Sequence, residues 1–341
     1  MTAALTQPQA SPRRDDGLQP VRFTRDLHQI ADLVEVCFAA QMDSGGRAAV
    51  NEMRALSYVW PMIWLLALLD PIMPGLGSGF VWRSEGKVVG NTSLYRGGKH
   101  PEYGAGYFVA NVAVHPDYRR RGIALGLMEA AIAKAQRERG RWIALEVEAS
   151  NTAAINLYHE LGFETMETLA QWDVFNYVNG QAAGDNNPFW PDGIHMRAPS
   201  ETQAEADLIY RRARRGAMAW THPIERHDVW DSLFDGFNAF FKAMPKEHWV
   251  LEDHKNPARL IGSVWVENSG WRTSRVSQFL DPALDDSNER LSLLKTVLGR
   301  TSFDGWSIKL ETLADDLPID EYLTAQGFRL LRKLTQMRLH L

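Results

Sequence analysis

Three consecutive arginines, Arg119, Arg120 and Arg121, stand directly before Gly122-Ile123-Ala124. Guanidinium groups bind phosphate oxygens through paired N–H donors, and a glycine lets the backbone itself approach an anion. The types and their order therefore point to a polyanion, most economically a pyrophosphate. A solvated basic surface run is the competing reading of the arginines taken alone. A phosphate loop of the Gly-Lys-Ser/Thr kind is excluded, because no such tripeptide follows. A nuclear-localisation patch needs a longer basic run.

The elements on either side must position that turn. Before it runs an apolar strand, Val109-Ala110-Asn111-Val112-Ala113-Val114, closed by His115-Pro116. After it, Ile123, Leu127, Met128, Ala131, Ile132 and Ala135 form one stripe of a helix, with Arg137 and Arg139 near its end and Gly140 to stop it. A helix start leaves backbone N–H groups without intrahelical partners and adds positive potential. A second apolar strand, Trp142 to Val147, leads to a short helix that Asn151 can cap and that ends at Leu161-Gly162-Phe163.

Arg119-x-x-Gly122-x-Ala124 after a strand, followed by Asn151, Ala154, Tyr158 and Gly162-Phe163, resembles the GNAT superfamily of N-acetyltransferases. The resemblance implies that Arg119, Arg120, Arg121, Gly122, Ile123 and Ala124 cradle the pyrophosphate of acetyl-CoA. It implies that the backbone of Val112, Ala113 and Val114 pairs with the pantetheine arm, with Asn151 assisting that arm. Tyr158 is then the general acid that protonates the departing thiolate, against the alternative of an ordinary core tyrosine. The general base has no such guide, since Tyr107 to Val114 contain no Asp, Glu or His. Glu146 and Glu148 alternate with Leu145 and Val147, and each reads either as a base working through water or as a satisfied structural carboxylate. The resemblance implies a direct transfer to an amine. The acceptor would be a small molecule or a peptide amino terminus, near Met42, Asp43, Trp60, Met62, Trp64 and Leu65, which could equally close a core. A catalytically silent acyl-CoA-binding or interaction protein and a transferase for a longer acyl group are the rival readings.

The 341 residues suggest two domains, and a net charge of -5 argues against a nucleic-acid partner. One cysteine, Cys37, excludes an intrachain disulfide framework and a multi-cysteine metal site, so no metal is expected; it fits a cytoplasmic setting. The longest hydrophobic run, Ser57 to Leu69, holds Pro61 and is shorter than the roughly 20 residues of a membrane span. Neither a membrane nor a nucleic acid is expected as a partner, and a homodimer is left open.

Residues 1–20 read as a disordered tail without a signal-peptide core, and Val21-Arg22-Phe23 as a first strand. Thr24 can cap a helix whose apolar positions include Leu27, Ile30, Leu33 and Val34. A second helical region covers about 47–69. Ser84-Glu85-Gly86-Lys87 reads as a hairpin turn, and 163–178 as two strands. The second half repeats the first: Ile143-Ala144-Leu145-Glu146 aligns with Ile308-Lys309-Leu310-Glu311 (308 − 143 = 165), and Gly162-Phe163 with Gly327-Phe328 (327 − 162 = 165). The expected fold class is α/β (α+β), with two tandem GNAT-like domains, each a mixed, mostly antiparallel sheet flanked by helices. Their expected extents are 21–179 and 195–341, joined by a linker at 180–194. Leu284-Asp285-Asp286-Ser287-Asn288-Glu289 replaces the arginine turn in the second copy, and Leu323 replaces Tyr158. Carboxylates there would repel a pyrophosphate, so one cofactor site is expected per chain.

Overall fold

Glu85 and Gly86 both carry positive φ, 52° and 81°, the conformation a two-residue hairpin turn needs. They join β2 (Gly79–Ser84) to β3 (Lys87–His100), so the hairpin read from the sequence is present. A computed structural model describes residues 16–39, 47, 50–51, 54, 78–100, 103–177, 194–197, 246–253, 256–269, 273–280, 287–300 and 306–341. The expected acceptor-lining segment, residues 180–193 of the linker and the acidic turn Asp285-Asp286 lie outside these. Contacts divide the chain into two units, one of residues 1–96, 107–143 and 341, the other of 97–106 and 144–340.

In the first unit the strand order is β1 (Gly17–Pro20), β2, β3 and β4 (Gly104–Val114). The first strand lies at 17–20, within the span expected as tail and ahead of Val21-Arg22-Phe23, because Gly17 to Pro20 pair with Arg83 to Phe80. Helix α1 (Phe23–Phe38) begins at Phe23, with Arg22 rather than Thr24 at the cap position. No side chain caps the first-turn amides; instead the Asp26 carboxylate reaches back from within the helix to accept the Arg22 backbone N–H (2.8 Å), as the acidic half of a capping box does. Ile30, Leu33 and Val34 pack with Val81, Val88 and Ala113 on one face of the sheet. On the other face, Ile123 and Leu127 of α2 (Ile123–Arg137) pack with Phe80 and Val89. Each of the buried Val, Leu, Ile and Phe side chains contributes about 1.5–3 kcal/mol, against about 1 kcal/mol for a typical cap. At the end of α2 the left-handed residue is Arg139 (φ 62°), not Gly140. Gly140 is required for another reason, since a Cβ there would lie 2.8 Å from the Tyr107 ring.

In the second unit the strand order is β5 (Trp142–Glu148, entering from the first unit), β12 (Arg329–His340), β6 (Glu164–Tyr177), β11 (Trp306–Leu313), β10 (Thr273–Leu280), β9 (Asn256–Ser269), β8 (Lys246–Asp253) and β7 (Ile194–Arg197). β10 and β11 are parallel and joined through α4 (Ser287–Arg300), whereas β6 is antiparallel to both β11 and β12. Within residues 163–178, expected as two strands, Glu164–Tyr177 form the single strand β6. β12 pairs with its first part, Glu164 to Asp173, and β11 with its second, Leu169 to Tyr177, and the overlap of the two ladders carries the strand through without a turn.

Positions that the sequence aligns at a shift of 165 meet in this pairing. Leu169 lies opposite Leu334, its own repeat equivalent (334 − 169 = 165). Around that pair the hydrogen bonds come in twins. The Ala149 N–H donates to the Lys333 carbonyl and the Ala314 N–H to the Thr168 carbonyl, both at 2.9 Å and both displaced by 165. β12 therefore lies between β5 and β6, and β6 between β12 and β11. Ala170, Trp172, Leu294, Leu310, Leu323 and Phe328 are among the residues of this unit's core, with α4 and α5 (Leu317–Ala325) against the sheet.

Candidate functional site

The C-terminal end of β4 delivers Val112, Ala113 and Val114 to the basic turn. Ala113 is buried toward α1, while Val114 packs toward Ile123 and Leu127. A single 3-10 turn, Pro116–Tyr118, then reverses the chain, with His115 Nδ1 accepting the Asp117 N–H. Arg120 (φ 60°) and Gly122 (φ 74°) both adopt left-handed backbone on either side of Arg121. Alternation of this kind turns successive N–H groups toward one point and forms an anion nest. Gly122 sits at the N-cap of α2 and offers no side chain to its first turn. The amides of that turn are thus left for a ligand, with the helix dipole behind them. A Cβ on Gly122 would meet nothing within 4 Å, so this face is open.

The three arginines differ in what they touch, which the sequence did not reveal. Arg119 Nε donates to the Val114 carbonyl (3.2 Å), locking the end of β4 to the turn. Cys37 Sγ donates to the same oxygen at 3.4 Å, and burial pushes its thiol above the ordinary range, with Arg119 partly opposing. Arg121 donates to the Asp117 carbonyl (2.8 Å) and stacks 4.9 Å from the Tyr118 ring centre. Arg120 is exposed and makes no side-chain bond among the described residues. These observations fit a pyrophosphate: Arg120 is available to it, while Arg119 and Arg121 hold the backbone that would receive it.

The remaining predicted residues lie in the second unit. Asn151 caps α3 (Thr152–Glu160), its side-chain oxygen accepting the Ala154 N–H (3.2 Å). Tyr158 is buried with its ring 5.9 Å from that of Phe163, and burial pushes its hydroxyl up to about 12. The helix closes through left-handed Gly162 (φ 88°), with the Phe163 N–H donating to the Tyr158 carbonyl. Glu146 accepts a hydrogen bond from Gln336 (3.0 Å), and its repeat equivalent Glu311 accepts one from Gln171 (2.6 Å). That twin pairing supports the structural reading of Glu146. At the positions 165 residues beyond Tyr158 and Asn151, Leu323 is fully buried in the core, and Asp316 is bonded to Arg290 (2.7 Å) of the first turn of α4.

Sequence reasoning missed two residues. Asn111, in the middle of β4, has φ 54°, and Asn91 of β3 donates to its carbonyl (3.0 Å). An asparagine inside an apolar strand run was the available signal, since it tolerates left-handed backbone better than its neighbours. Among the described residues no cluster of three His, Cys, Asp or Glu could hold a metal, and no helix is long and apolar enough to cross a membrane.

The model of the acetyltransferase (GNAT) family matches residues 48–163, which include the basic turn and Tyr158. The N-alpha-acetyltransferase MAK3 of Arabidopsis thaliana is 32% identical over 155 residues, 45% of this chain and 70% of that protein. The chain belongs to the GNAT acetyltransferase family. This GNAT chain also matches the N-alpha-acetyltransferase 30 of Saccharomyces cerevisiae, 43% identical over 65 residues (19% of this chain, 37% of that protein). The [Ribosomal protein bS18]-alanine N-acetyltransferase of Escherichia coli K12 is 47% identical over 53 residues (16% of this chain, 36% of that protein). The chain thus spans little more than a third of those two relatives. Among solved structures, a GCN5-related N-acetyltransferase from Sphaerobacter thermophilus shares the fold with TM-score 0.55, 14% identity and 95% coverage of each chain. A tandem GNAT protein from the clavulanic acid biosynthesis pathway does so with TM-score 0.51, 15% identity and coverage of 95% and 98%.

Arg119→Glu should weaken acetyl-CoA binding at least tenfold by calorimetry. It adds a negative charge beside the nest and releases the Val114 carbonyl, and a charged hydrogen bond is worth about 1.5–3 kcal/mol. Unchanged affinity in a folded variant would remove the nest from the account.

Proposed function

We infer that this GNAT chain transfers an acetyl group from acetyl-CoA to a primary amine, with the amino terminus of a peptide the best-supported acceptor. The observation that carries the reading is the uncapped start of α2, with the left-handed pair Arg120 and Gly122 and an unengaged Arg120 beside it. The relatives that bear α-amino acetyltransferase names support the acceptor class. Under this reading the chain works as two GNAT-like copies, 21–179 and 195–341, with one working site in the first. Leu323 in place of Tyr158, and an Asp316 tied to Arg290 in place of the helix-capping Asn151, support a second copy without a site of this kind.

The amine nitrogen forms a bond to the thioester carbon, the carbon–sulfur bond breaks, and the amine loses a proton while the thiolate gains one. Backbone amides of β4 supply hydrogen bonds to the carbonyl oxygen as it gains charge. Tyr158 keeps its proton at neutral pH and donates a hydrogen bond to the departing sulfur. Burial holds that proton more tightly than an ordinary thiol holds its own, so full transfer to the thiolate is uphill. The hydroxyl therefore stabilises the thiolate as a donor and gives up its proton fully only once the phenolate is itself stabilised in the complex. Glu146, paired with Gln336, is the weaker candidate for accepting the amine proton through water.

The test is a panel of peptides with free amino termini, alongside small primary amines, read by acetyl-CoA-dependent thiol release and by mass gain of the acceptor. Thiol release with mass gain on peptides supports the reading. Acetyl-CoA binding without turnover on any amine would leave a silent binding protein instead.

A further inference from the structure

Strand β4 does not run straight. Tyr107 faces the end of α2, where its ring lies against Gly140 and its hydroxyl donates to Glu138 (2.6 Å). Val114 faces the start of the same helix, at Ile123 and Leu127, and Ala113 faces α1. Tyr107 and Val114 are seven residues apart, and in an uninterrupted strand an odd separation puts side chains on opposite faces. The parity therefore changes once between them, and Asn111, with φ 54°, is the residue in left-handed backbone at the change. A bulge of this kind re-aims a peptide group out of the ladder.

The Asn111 carbonyl is held by a side chain. Asn91 is wholly buried, and its Nδ2 donates to that oxygen at 3.0 Å. Its Oδ1 has no hydrogen-bond partner among the described residues. A polar side chain is thus kept in the core with one of its two functions unused, which packing alone does not call for. A trans peptide points its C=O and N–H in opposite directions, and the described chain has no cis bond. With the Asn111 oxygen fixed toward Asn91 on β3, the Val112 N–H of the same peptide points away from β3.

We propose that Asn91 is a positioning residue of the acetyl transfer: its amide fixes the Asn111–Val112 peptide and so aims the Val112 N–H at the thioester carbonyl. This rests on the function proposed above. Asn91 touches neither substrate; it acts through the bulge. The preorganised donor at Val112 polarises the carbonyl as the amine attacks, and its orientation fails when the Asn91 amide is removed. The pyrophosphate nest, formed by Arg120 to Gly122, is unaffected.

The test needs no acceptor. Acetyl-CoA carrying a 13C-labelled acetyl carbonyl is bound to the wild-type chain and to Asn91→Leu, and the carbonyl stretch is read by infrared difference spectroscopy beside affinity by calorimetry. The wild type should shift the band to lower wavenumber, Asn91→Leu should return it toward the free value, and affinity should change less than threefold. With a working acceptor, kcat should fall about 10²-fold at nearly constant KM for acetyl-CoA, the loss typical of one such donor. Asn91→Ser, whose hydroxyl is too short to reach the Asn111 oxygen, serves if the leucine variant does not fold, with the same result expected. A band and kcat equal to wild type in either folded variant overturn the positioning role and leave the function standing. A wild-type chain that does not bind acetyl-CoA removes both.

Discussion

Tyr158→Phe is expected to lower turnover by about 10²–10⁴ while acetyl-CoA binds nearly as before. The substitution keeps the ring and its contact with Phe163 and deletes only the hydroxyl. Because burial holds that hydroxyl at about 12, the group stays protonated through the whole working range. Any fall in rate on the alkaline side below about pH 10 must therefore come from another group, and should persist in the variant. The linkage sign agrees: a folded value raised above the unfolded 10 contributes stability that is fully present below pH 10. That contribution is lost as pH rises through about 12. A tyrosine that only packs would show wild-type kcat at saturating substrates and a stability change of about 1 kcal/mol. Steady-state thiol release with chemistry shown to be rate-limiting separates the two.

Asp26→Ala is expected to destabilise the protein by about 3–5 kcal/mol, measured by urea unfolding. Asp26 and Arg83 are both buried and in contact, and the carboxylate also takes the Arg22 N–H and Arg25 Nε. Arg83 in turn donates to the Gly86 carbonyl, so one ion pair ties the start of α1 to the β2–β3 turn. Removing the carboxylate leaves a buried guanidinium without its counter-charge. Replacing both partners with apolar residues, Asp26→Leu with Arg83→Met, should recover most of the loss, because the pair's own desolvation cost disappears with it. A single variant as stable as wild type would show that water reaches Arg83.

Elements written in local residue types could be read from the chain. Glu85-Gly86 announces its turn by backbone preference, Gly122 announces the close approach at the helix start, and the apolar periods of α1 and α2 announce their buried faces. The 165-residue shift was legible because Ile143-Ala144-Leu145-Glu146 and Gly162-Phe163 both have counterparts at that spacing. What was lost depended on partners distant in sequence. The single strand β6 looked like two because its continuity comes from β11 and β12, at least 129 residues away (306 − 177 = 129). β1 was placed late because Gly17 to Pro20 show no strand pattern until β2 lies beside them. The arginines of the turn look alike in sequence, and only the Val114 carbonyl, the Asp117 carbonyl and the Tyr118 ring tell them apart. Asn91 and Asn111 stand 20 residues apart, and no local pattern announces the bond between them.

The central claim is that one nest, at Arg120 to Gly122, takes acetyl-CoA. Calorimetric titration of acetyl-CoA into the full chain tests it most directly. One site per chain is expected, because Leu323 and the Arg290–Asp316 pair stand 165 residues beyond Tyr158 and the capping Asn151. Two equivalent sites per chain, or a single site that persists unchanged when Gly122→Val fills the nest, would contradict it.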